Sequence, residues 1–301
     1  MEHHHHKHHH HHSEKLTSLN GVYVFAIALN LLFVIVEAGI GFSQNSLGLV
    51  SDAGHNLSDV FSLLLALFAF ELAKVPAKAG FTYGYKKGTI LISLLNAIIL
   101  LIAVGAITVE SVHKFTDPQP VNGAAVSWTA GMGIIVNGLS TWLLMRHKKG
   151  DLNAEGAFLH MLADTLVSVG VLVSGIVISF TGWNVTDPII SLVIVVVILV
   201  STWHLLSQSL RLSLDGIPEN IDIAKVKGDM KSQPHVEDVH HVHVWAISTT
   251  EAALTAHVVV DSNDNMEKVK HLIREKMAAD GITHVTLELE HHGECCVCPE
   301  D

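Results

Sequence analysis

Two segments of the chain carry the same pair of metal-binding residue types at the same spacing. His55 and Asp59 are four residues apart, and so are His160 and Asp164. Residues four apart are neighbours on the surface of an α-helix, so the imidazole and the carboxylate of each pair can share one ion. Two such helices that face each other would supply two nitrogens and two carboxylate oxygens. This is a tetrahedral donor set suited to Zn²⁺.

Both pairs lie in long apolar stretches, where ionisable residues are costly and mark function by default. The alternative is that they form hydrogen bonds that hold neighbouring helices together. A repeat on two helices at similar depth favours the ion site. Asp52 lies about one turn from His55, where it is either on the path of the ion or an interfacial carboxylate. Glu37 also lies within an apolar stretch, and the pattern assigns it no role.

A second group of metal-binding residue types lies near the C-terminus. Cys295 and Cys298 form a Cys-x-x-Cys shortly after His291 and His292. In a reducing compartment this spacing is typical of thiolate metal ligands or of a redox pair. The nearby histidines favour the metal site.

Several further histidines lie in strand-like segments of the chain after Leu210. Alternation along Val239–Trp245 predicts that His241 and His243 share one face with Trp245, whereas His240 lies on the other. A histidine in a strand is most simply explained by packing. We interpret His241, His243 and His284 in strand-like segments, and His271 in a helical segment, as structural residues.

The elements that position these residues follow from the composition. The chain has 301 residues, of which 49% are hydrophobic and 16% charged, against roughly 25% charged in soluble domains. Six apolar stretches each reach the ~20 residues that cross a bilayer as a helix. In lipid every backbone N–H and C=O group must be hydrogen-bonded within the protein, and segments of this length meet that requirement as helices and not as strands. The six stretches are Val22–Phe42, Ser46–Leu72, Gly88–Val109, Val121–Met145, Ala154–Phe180 and Val185–Leu206.

The net charge of −11 is divided unevenly along the chain. Up to Leu210 there are 10 Lys and Arg against 12 Asp and Glu, whereas from Arg211 onward there are 8 against 17. A nucleic-acid-binding protein needs the opposite sign, so that class is excluded. Nine basic residues lie in the N-terminal tail and in loops 2–3 and 4–5, and only Lys114 lies in the opposite loops. The positive-inside rule therefore predicts that both termini are cytoplasmic.

The chain after Leu210 has the pattern of a small soluble domain. We predict, in order, a helix, two strands, a helix and a strand: Ile221–Lys231, Val239–Ser248, Ala253–Val260, Met266–Ala279 and His284–Glu290. This order fits a small two-layer α+β domain. At roughly 80 residues the domain is near the lower limit for a self-sufficient core, so pairing with a second copy is expected.

The predicted organisation has four parts. Residues 1–16 form a histidine-rich cytoplasmic tail, 17–208 a six-helix transmembrane domain, 209–290 a cytosolic metal-sensing domain, and 291–301 a tail with Cys and His. The first tail holds nine of the 23 histidines and is either a native metal-gathering segment or an expression tag. Lys7, which interrupts the run, favours a native segment. We expect this tail to be disordered unless metal is bound.

These motifs resemble those of the cation diffusion facilitator family, which includes bacterial zinc exporters. The resemblance rests on Ser51–Asp59, His160–Asp164, Tyr83-Gly-Tyr85 in the first cytoplasmic loop, and the run His240-His-Val-His-Val-Trp245. It implies a homodimer with six transmembrane helices per protomer and a ferredoxin- or metallochaperone-like cytosolic domain. It also implies zinc/proton exchange by alternating access. Carried over to this chain, the transport ligands are His55, Asp59, His160 and Asp164.

The resemblance also implies two features outside the membrane. A Lys–Asp charge pair that locks the dimer near the membrane surface maps to Lys87 and Asp215, which would otherwise be two solvated charges. Similarity to vertebrate vesicular members implies a cytosolic zinc cluster, completed by a histidine of an N-terminal tail. Its residues here would be His240, His257, Glu290, Cys295 and Cys298.

We therefore predict a proton-coupled zinc antiporter, a secondary active transporter and not an enzyme, which exports Zn²⁺ across a bacterial plasma membrane. Zinc needs neutral His and ionised Asp, so binding releases protons and protonation releases zinc. The alternatives are a membrane-anchored metal sensor and a transporter of a broader set of divalent metals (Cd, Co, Mn, Fe). An intramembrane zinc enzyme is disfavoured, because the chain has no His-Glu-x-x-His and four protein ligands leave no position for water.

Overall fold

The structure is a computed structural model that describes residues 10–43, 47–116, 123–145, 151–181, 186–262 and 265–291, apart from some side chains within the helices. The chain forms two compact units. One comprises Met1–Val75 and Ile92–Leu206, and the other comprises Pro76–Leu91 and Ser207–Asp301. We call them the helical unit and, after the location predicted from the sequence, the cytosolic-type unit.

Within the described ranges, six long helices match the six predicted apolar stretches. They are α1 (His10–Ser43), α2 (Leu47–Ala73), α3 (Lys86–Thr116), α4 (Gly123–Met145), α5 (Leu152–Thr181) and α6 (Thr186–Ser213). Helix α1 begins at His10, within the predicted N-terminal tail, and residues 1–9 of that tail lie outside the described residues. Extending an existing helix costs little free energy, since each further residue adds its own hydrogen bond without a new nucleation step.

Three helical segments among the described residues are long and apolar enough to cross a bilayer. They are Gly21–Gly39, Lys86–His113 and Val195–Ser213. A shorter apolar segment, Ala130–Met145, lies in α4. These segments carry the membrane character that the composition predicts.

The helical unit has apolar side chains outside and polar ones inside. Phe61, Ile102 and Phe180 are 60%, 67% and 87% exposed, whereas Asn30 and Asn137 are buried. A water-soluble protein shows the reverse preference. Lipid accepts an apolar exterior, so this distribution fits a protein that is embedded in a bilayer.

The cytosolic-type unit contains the α+β elements in the predicted order. They are α7 (Ile223–Lys231), β1 (Val236–Ala246), β2 (Ala252–Val260), α8 (Met266–Ala279) and β3 (Ile282–His291). Helix α7 begins two residues later than predicted because Asp222 caps it. The Asp222 carboxylate accepts hydrogen bonds from the backbone N–H groups of Ala224 (2.9 Å) and Lys225 (3.3 Å).

Strand β2 is the centre of a three-stranded sheet. It pairs with β1 in antiparallel fashion and with β3 in parallel fashion, and α8 makes the crossover that a parallel pair requires. Leu254 and Val258 of β2 lie in one hydrophobic core with Val269 and Ile273 of α8. The other face of the sheet, which includes His257, is called the open face below.

An extra residue in β1 changes the face on which its histidines lie. His240 pairs with His257 and His243 pairs with Thr255, so three steps along β1 correspond to two along β2. Residues that pair across strands share a face, as do residues two apart on a regular strand. His240 and His243 therefore both lie on the open face. The prediction that His240 lies on the opposite face is wrong, because strict alternation does not allow for a bulge.

Candidate metal centres

Asp59 of α2 approaches His160 and Asp164 of α5 inside the helical unit. The Nε2 atom of His160 lies 2.9 Å from Asp59 Oδ1 and 3.7 Å from Asp164 Oδ2. One ligand atom from each of the three residues lies within 4.8 Å of the others. Three of the four residues predicted to bind the transported ion thus come together from two helices. We call them the membrane triad.

The membrane triad is shielded from solvent. Asp59 is 0% exposed, His160 4% and Asp164 9%. Burial disfavours the charged form of a carboxylate, and two neighbouring carboxylates repel each other. A proton or a cation between these groups relieves both costs, so the site is suited to hold one or the other.

Small residues allow α2 and α5 to come close. Ala66 of α2 and Ala154 and Ala157 of α5 are buried in one cluster together with Leu63 and Met161. Small side chains let the backbones of membrane helices approach each other. Residues four apart then lie on one stripe of α5, which directs both members of its His-x-x-x-Asp pair towards α2.

The fourth predicted ligand, His55, belongs to α2, but its side chain lies outside the described residues. The same holds for Asp52. On a helix, His55 and Asp59 are neighbours one turn apart. The roles of His55 and Asp52 therefore stay predictions.

A buried polar contact between α1 and α2 was not predicted. Asn56 Nδ2 donates a hydrogen bond of 2.8 Å to Glu37 Oε2, and both residues are buried. Because Asn56 lies three residues before Asp59, this contact constrains the rotation of the same helix that presents the triad carboxylate. The position of Glu37 within an apolar stretch indicates that this carboxylate has a buried partner. The identity of that partner depends on how α1 is rotated relative to α2, and the periodicity of a single helix does not give this rotation.

The three strands each contribute one residue to a second cluster, on the open face. The Nδ1 atom of His257 contacts Glu290 Oε1, and His240 Nε2 lies 3.4 Å from Glu290 Oε2. Ligand atoms of these three residues lie within 4.8 Å of one another. The structure thus brings together three of the five residues predicted for the cytosolic site. Cys295 and Cys298 lie outside the described residues.

The donor set of this cytosolic cluster fits zinc. Two imidazoles and a carboxylate are ordinary zinc ligands. Carboxylates contact both ring nitrogens of His257, since Glu288 Oε2 lies 3.4 Å from its Nε2 atom. Such contacts fix the orientation of a histidine ring and support its role as a ligand.

The first residues of α3 form ion pairs within the cytosolic-type unit. Lys86 Nζ lies 2.9 and 2.7 Å from the two carboxylate oxygens of Glu251, in the turn between β1 and β2. Lys87 Nζ contacts Asp215 Oδ1. The two charges implied by the family resemblance are therefore paired within one chain, and their role in a dimer stays a prediction.

Comparisons with known proteins cover both units. Residues 23–212 match the family described as "Cation efflux transmembrane domain", and residues 218–292 match "Cation efflux protein, cytoplasmic domain". A cadmium, cobalt and zinc/H(+)-K(+) antiporter of Bacillus subtilis (strain 168) is 34% identical over 275 residues, which is 88% of each chain. Zinc transporter ZitB of Escherichia coli (strain K12) is 35% identical over 284 residues, covering 91% of this chain and 89% of ZitB.

Two further similarities involve Cupriavidus metallidurans. Its metal cation efflux system protein CzcD is 37% identical over 269 residues, covering 88% of this chain and 84% of CzcD. A solved structure of the metal-bound C-terminal domain of the CzcD transporter is 33% identical and has a TM-score of 0.22, covering 23% of this chain and 99% of that domain. The resemblance drawn from the motifs is confirmed: the chain belongs to the cation efflux family, also called the cation diffusion facilitators.

Proposed function

We propose that this protein is a proton-coupled antiporter that exports Zn²⁺ from the cytoplasm through a site on α2 and α5. The observation that carries the proposal is the convergence of Asp59, His160 and Asp164, all buried, from two apolar helices. His55 completes a tetrahedral set of two nitrogens and two oxygens. Zinc is the substrate that this donor set suits best.

The distances within the membrane triad are close to those required around zinc. Bonds of 2.0–2.2 Å at tetrahedral angles place neighbouring ligand atoms about 3.3 Å apart. The His160 Nε2 atom lies 2.9 Å from one carboxylate oxygen and 3.7 Å from the other. Because these values lie on either side of the required distance, small side-chain rotations suffice to close the site around the ion.

Proton coupling follows from the same atoms. In the hydrogen bond between His160 and Asp59, a proton occupies the space between a nitrogen and an oxygen that would both bind zinc. Zinc requires the unprotonated lone pair, so binding displaces protons and protonation displaces zinc. A proton gradient directed into the cell then drives zinc outward when the site opens alternately to each side. This makes the protein a secondary active transporter.

We further propose a homodimer in the bacterial plasma membrane with both termini in the cytoplasm. The orientation rests on the distribution of the ten basic residues up to Leu210. Nine of them lie in the N-terminal tail and in loops 2–3 and 4–5, which are on the same side of the membrane. The dimer rests on the family resemblance and on the small size of the domain that follows α6, which is near the limit for a core of its own.

The cluster of His240, His257 and Glu290, with Cys295 and Cys298, is proposed as a second zinc site that senses cytosolic zinc. It differs from the membrane triad in its environment. His240 has a side chain 34% exposed, so zinc can enter without crossing the bilayer. The thiolates of Cys295 and Cys298, as additional ligands, would raise the affinity of this site for zinc.

A broader metal range is the second candidate function. Relatives with 34% identity are named for cadmium, cobalt and zinc. Imidazole and carboxylate ligands by themselves do not exclude cobalt or cadmium. Zinc transport and wider transport therefore share the same site and differ only in selectivity.

The test is uptake of ⁶⁵Zn into proteoliposomes that hold the full-length protein under an imposed pH gradient. We expect uptake that stops when an ionophore collapses the pH gradient. If the protein transports a broader range of metals, unlabelled Co²⁺ or Cd²⁺ should reduce the uptake of ⁶⁵Zn. A membrane-anchored sensor would bind zinc but give no uptake under any gradient. That result would contradict the proposal.

A further inference from the structure

We propose that His241 and His243 form a further binding site for a divalent metal ion, on the open face of the sheet. The Nε2 atoms of the two residues lie 3.2 Å apart. Their rings meet edge to face, with centroids 4.5 Å apart and an angle of 90° between the planes. We call this arrangement the histidine pair. It goes beyond the proposed transport function and does not rest on it.

The two nitrogens share a hydrogen bond, and their separation is also the one that a shared metal ion requires. Two Zn–N bonds of 2.0–2.1 Å at the tetrahedral angle hold the nitrogens about 3.3 Å apart. The observed separation in the histidine pair differs from this by about 0.1 Å. A metal ion can therefore bind with little movement of either ring.

The backbone holds His241 in an unusual conformation that supports this geometry. His241 lies in the bulge of β1 and has φ of 49°. A left-handed conformation costs a residue other than glycine roughly 1–2 kcal/mol, and such strain concentrates at functional sites. The ring of His241 also meets that of His257, with centroids 5.1 Å apart, so the bulge directs it to the open face. A regular strand would not bring His240, His241 and His243 to one face.

The histidine pair is open to ions from solvent. His243 is exposed and lines a cleft of about 450 Å³ together with Asp215 and Trp245. Two protein nitrogens leave at least two positions of a tetrahedral ion for water. The site thus suits imidazole-preferring divalent cations, such as zinc, cobalt, nickel and copper.

The histidine pair differs from the cytosolic cluster in its ligands. The cluster of His240, His257 and Glu290 combines imidazoles with a carboxylate. The pair offers two imidazole nitrogens from one strand, so it favours Ni²⁺ and Cu²⁺ over harder cations more strongly than the cluster does.

Chemical footprinting tests the site residue by residue in the full-length protein. Diethyl pyrocarbonate acylates free imidazole nitrogens, and peptide mass spectrometry reads each histidine separately, so the histidine-rich tail does not interfere. With zinc at ten times the dissociation constant, we expect the modification of His241 and His243 to slow about tenfold by mass action. His271, which is exposed on α8, is the control and should react at the same rate with and without zinc.

Two variants separate the histidine pair from the neighbouring cluster. In His257→Asn, protection of His241 and His243 should persist. In His241→Asn, protection of His243 should be lost while zinc uptake into proteoliposomes continues; Asn is chosen because it tolerates the left-handed conformation. Unprotected His241 and His243 at saturating zinc, or protection that disappears in His257→Asn, would overturn the proposal without affecting the proposed transport function.

Discussion

His160 Nε2 lies 2.9 Å from Asp59 Oδ1, although 101 residues separate them along the chain. The contact joins α5 to α2 at a place where both side chains are buried. Two of the atoms that would bind zinc therefore form a contact between the two helices. Replacing the proton by an ion changes the contact between the helices, which links occupancy of the site to their packing.

The first prediction concerns the imidazole at this contact. His160→Gln keeps a polar side chain of similar length but removes the ring nitrogen that faces both carboxylates. Loss of a residue that merely supports a metal ligand costs about 10–100-fold, so we expect loss of the ligand itself to lower zinc flux more than about 100-fold. The measurement is initial ⁶⁵Zn uptake into proteoliposomes.

His271→Gln is the matched control for this substitution. His271 is exposed on α8 of the cytosolic-type unit, and its replacement should leave uptake within about twofold of wild type. Uptake by His160→Gln at the level of this control would contradict the proposal that His160 binds the transported ion.

The second prediction concerns a close approach of helices at Gly156. A Cβ atom on Gly156 of α5 would lie 2.6 Å from Asn96 Nδ2 of α3 and 3.3 Å from Leu205 Cδ2 of α6. Both neighbours are buried, so overpacking should cost about 1–3 kcal/mol and exceed the gain of up to about 1 kcal/mol in helix propensity. We expect Gly156→Ala to lower the midpoint of thermal unfolding in detergent.

Gly131→Ala provides the comparison, because nothing lies within 4 Å of a Cβ atom at Gly131 of α4. Only the gain in propensity acts there, so the midpoint should be unchanged or raised. Equal effects of the two substitutions would show that the helices do not approach closely at Gly156.

The third prediction concerns the ion pair between Lys86 and Glu251. The two side chains are 27% and 32% exposed, so reversing one charge should destabilise the contact by about 1 kcal/mol. Thr249, in the same turn as Glu251, donates its backbone N–H to Thr89 Oγ1 at 3.2 Å. We therefore expect faster hydrogen exchange of the turn in Lys86→Glu, measured by mass spectrometry.

The double variant Lys86→Glu with Glu251→Lys restores opposite charges at these positions. Exchange of the turn should return towards the wild-type rate. If the effect of the double variant on the hydrogen-exchange rate equals the sum of the effects of the two single variants, Lys86 and Glu251 do not interact.

The fourth prediction is a pH dependence in the cytosolic-type unit. The hydrogen bond from the Lys225 ammonium lowers the pKa of the Asp280 carboxyl. A carboxyl whose pKa is lower in the folded state stabilises that state above its unfolded pKa of about 3.9, and this contribution is lost as pH falls through the folded value. Asp280→Asn should therefore lower the unfolding temperature at neutral pH, and the difference from wild type should shrink below about pH 4.

Glu275→Gln on the same helix is the control for this pH series. Glu275 has an exposed side chain, and its replacement should leave the unfolding temperature nearly unchanged throughout. A difference between Asp280→Asn and wild type that is constant from neutral to acid pH would contradict the predicted role of the carboxylate charge.

The sequence predicted those features that depend on spacing within one element. The pair His160 and Asp164 was found because residues four apart share a helix face, and the order of strands and helices after Leu210 followed from their periods. Features that depend on how elements fit together were missed. The contact of Glu37 with Asn56 depends on the rotation of α1 against α2, and the bulge at His241 is a departure from the alternation on which the prediction relied.

The most direct test of the proposed transport site follows zinc and protons in the same proteoliposomes after one carboxylate is neutralised. Asp59→Asn keeps the shape of the side chain, and Glu71→Gln on the same helix is the control, since the Glu71 side chain is 53% exposed. We predict that wild type and Glu71→Gln exchange zinc for protons under an imposed pH gradient, and that Asp59→Asn loses both fluxes together. Zinc flux through Asp59→Asn at the wild-type rate would contradict the assignment of the membrane triad as the path of the ion.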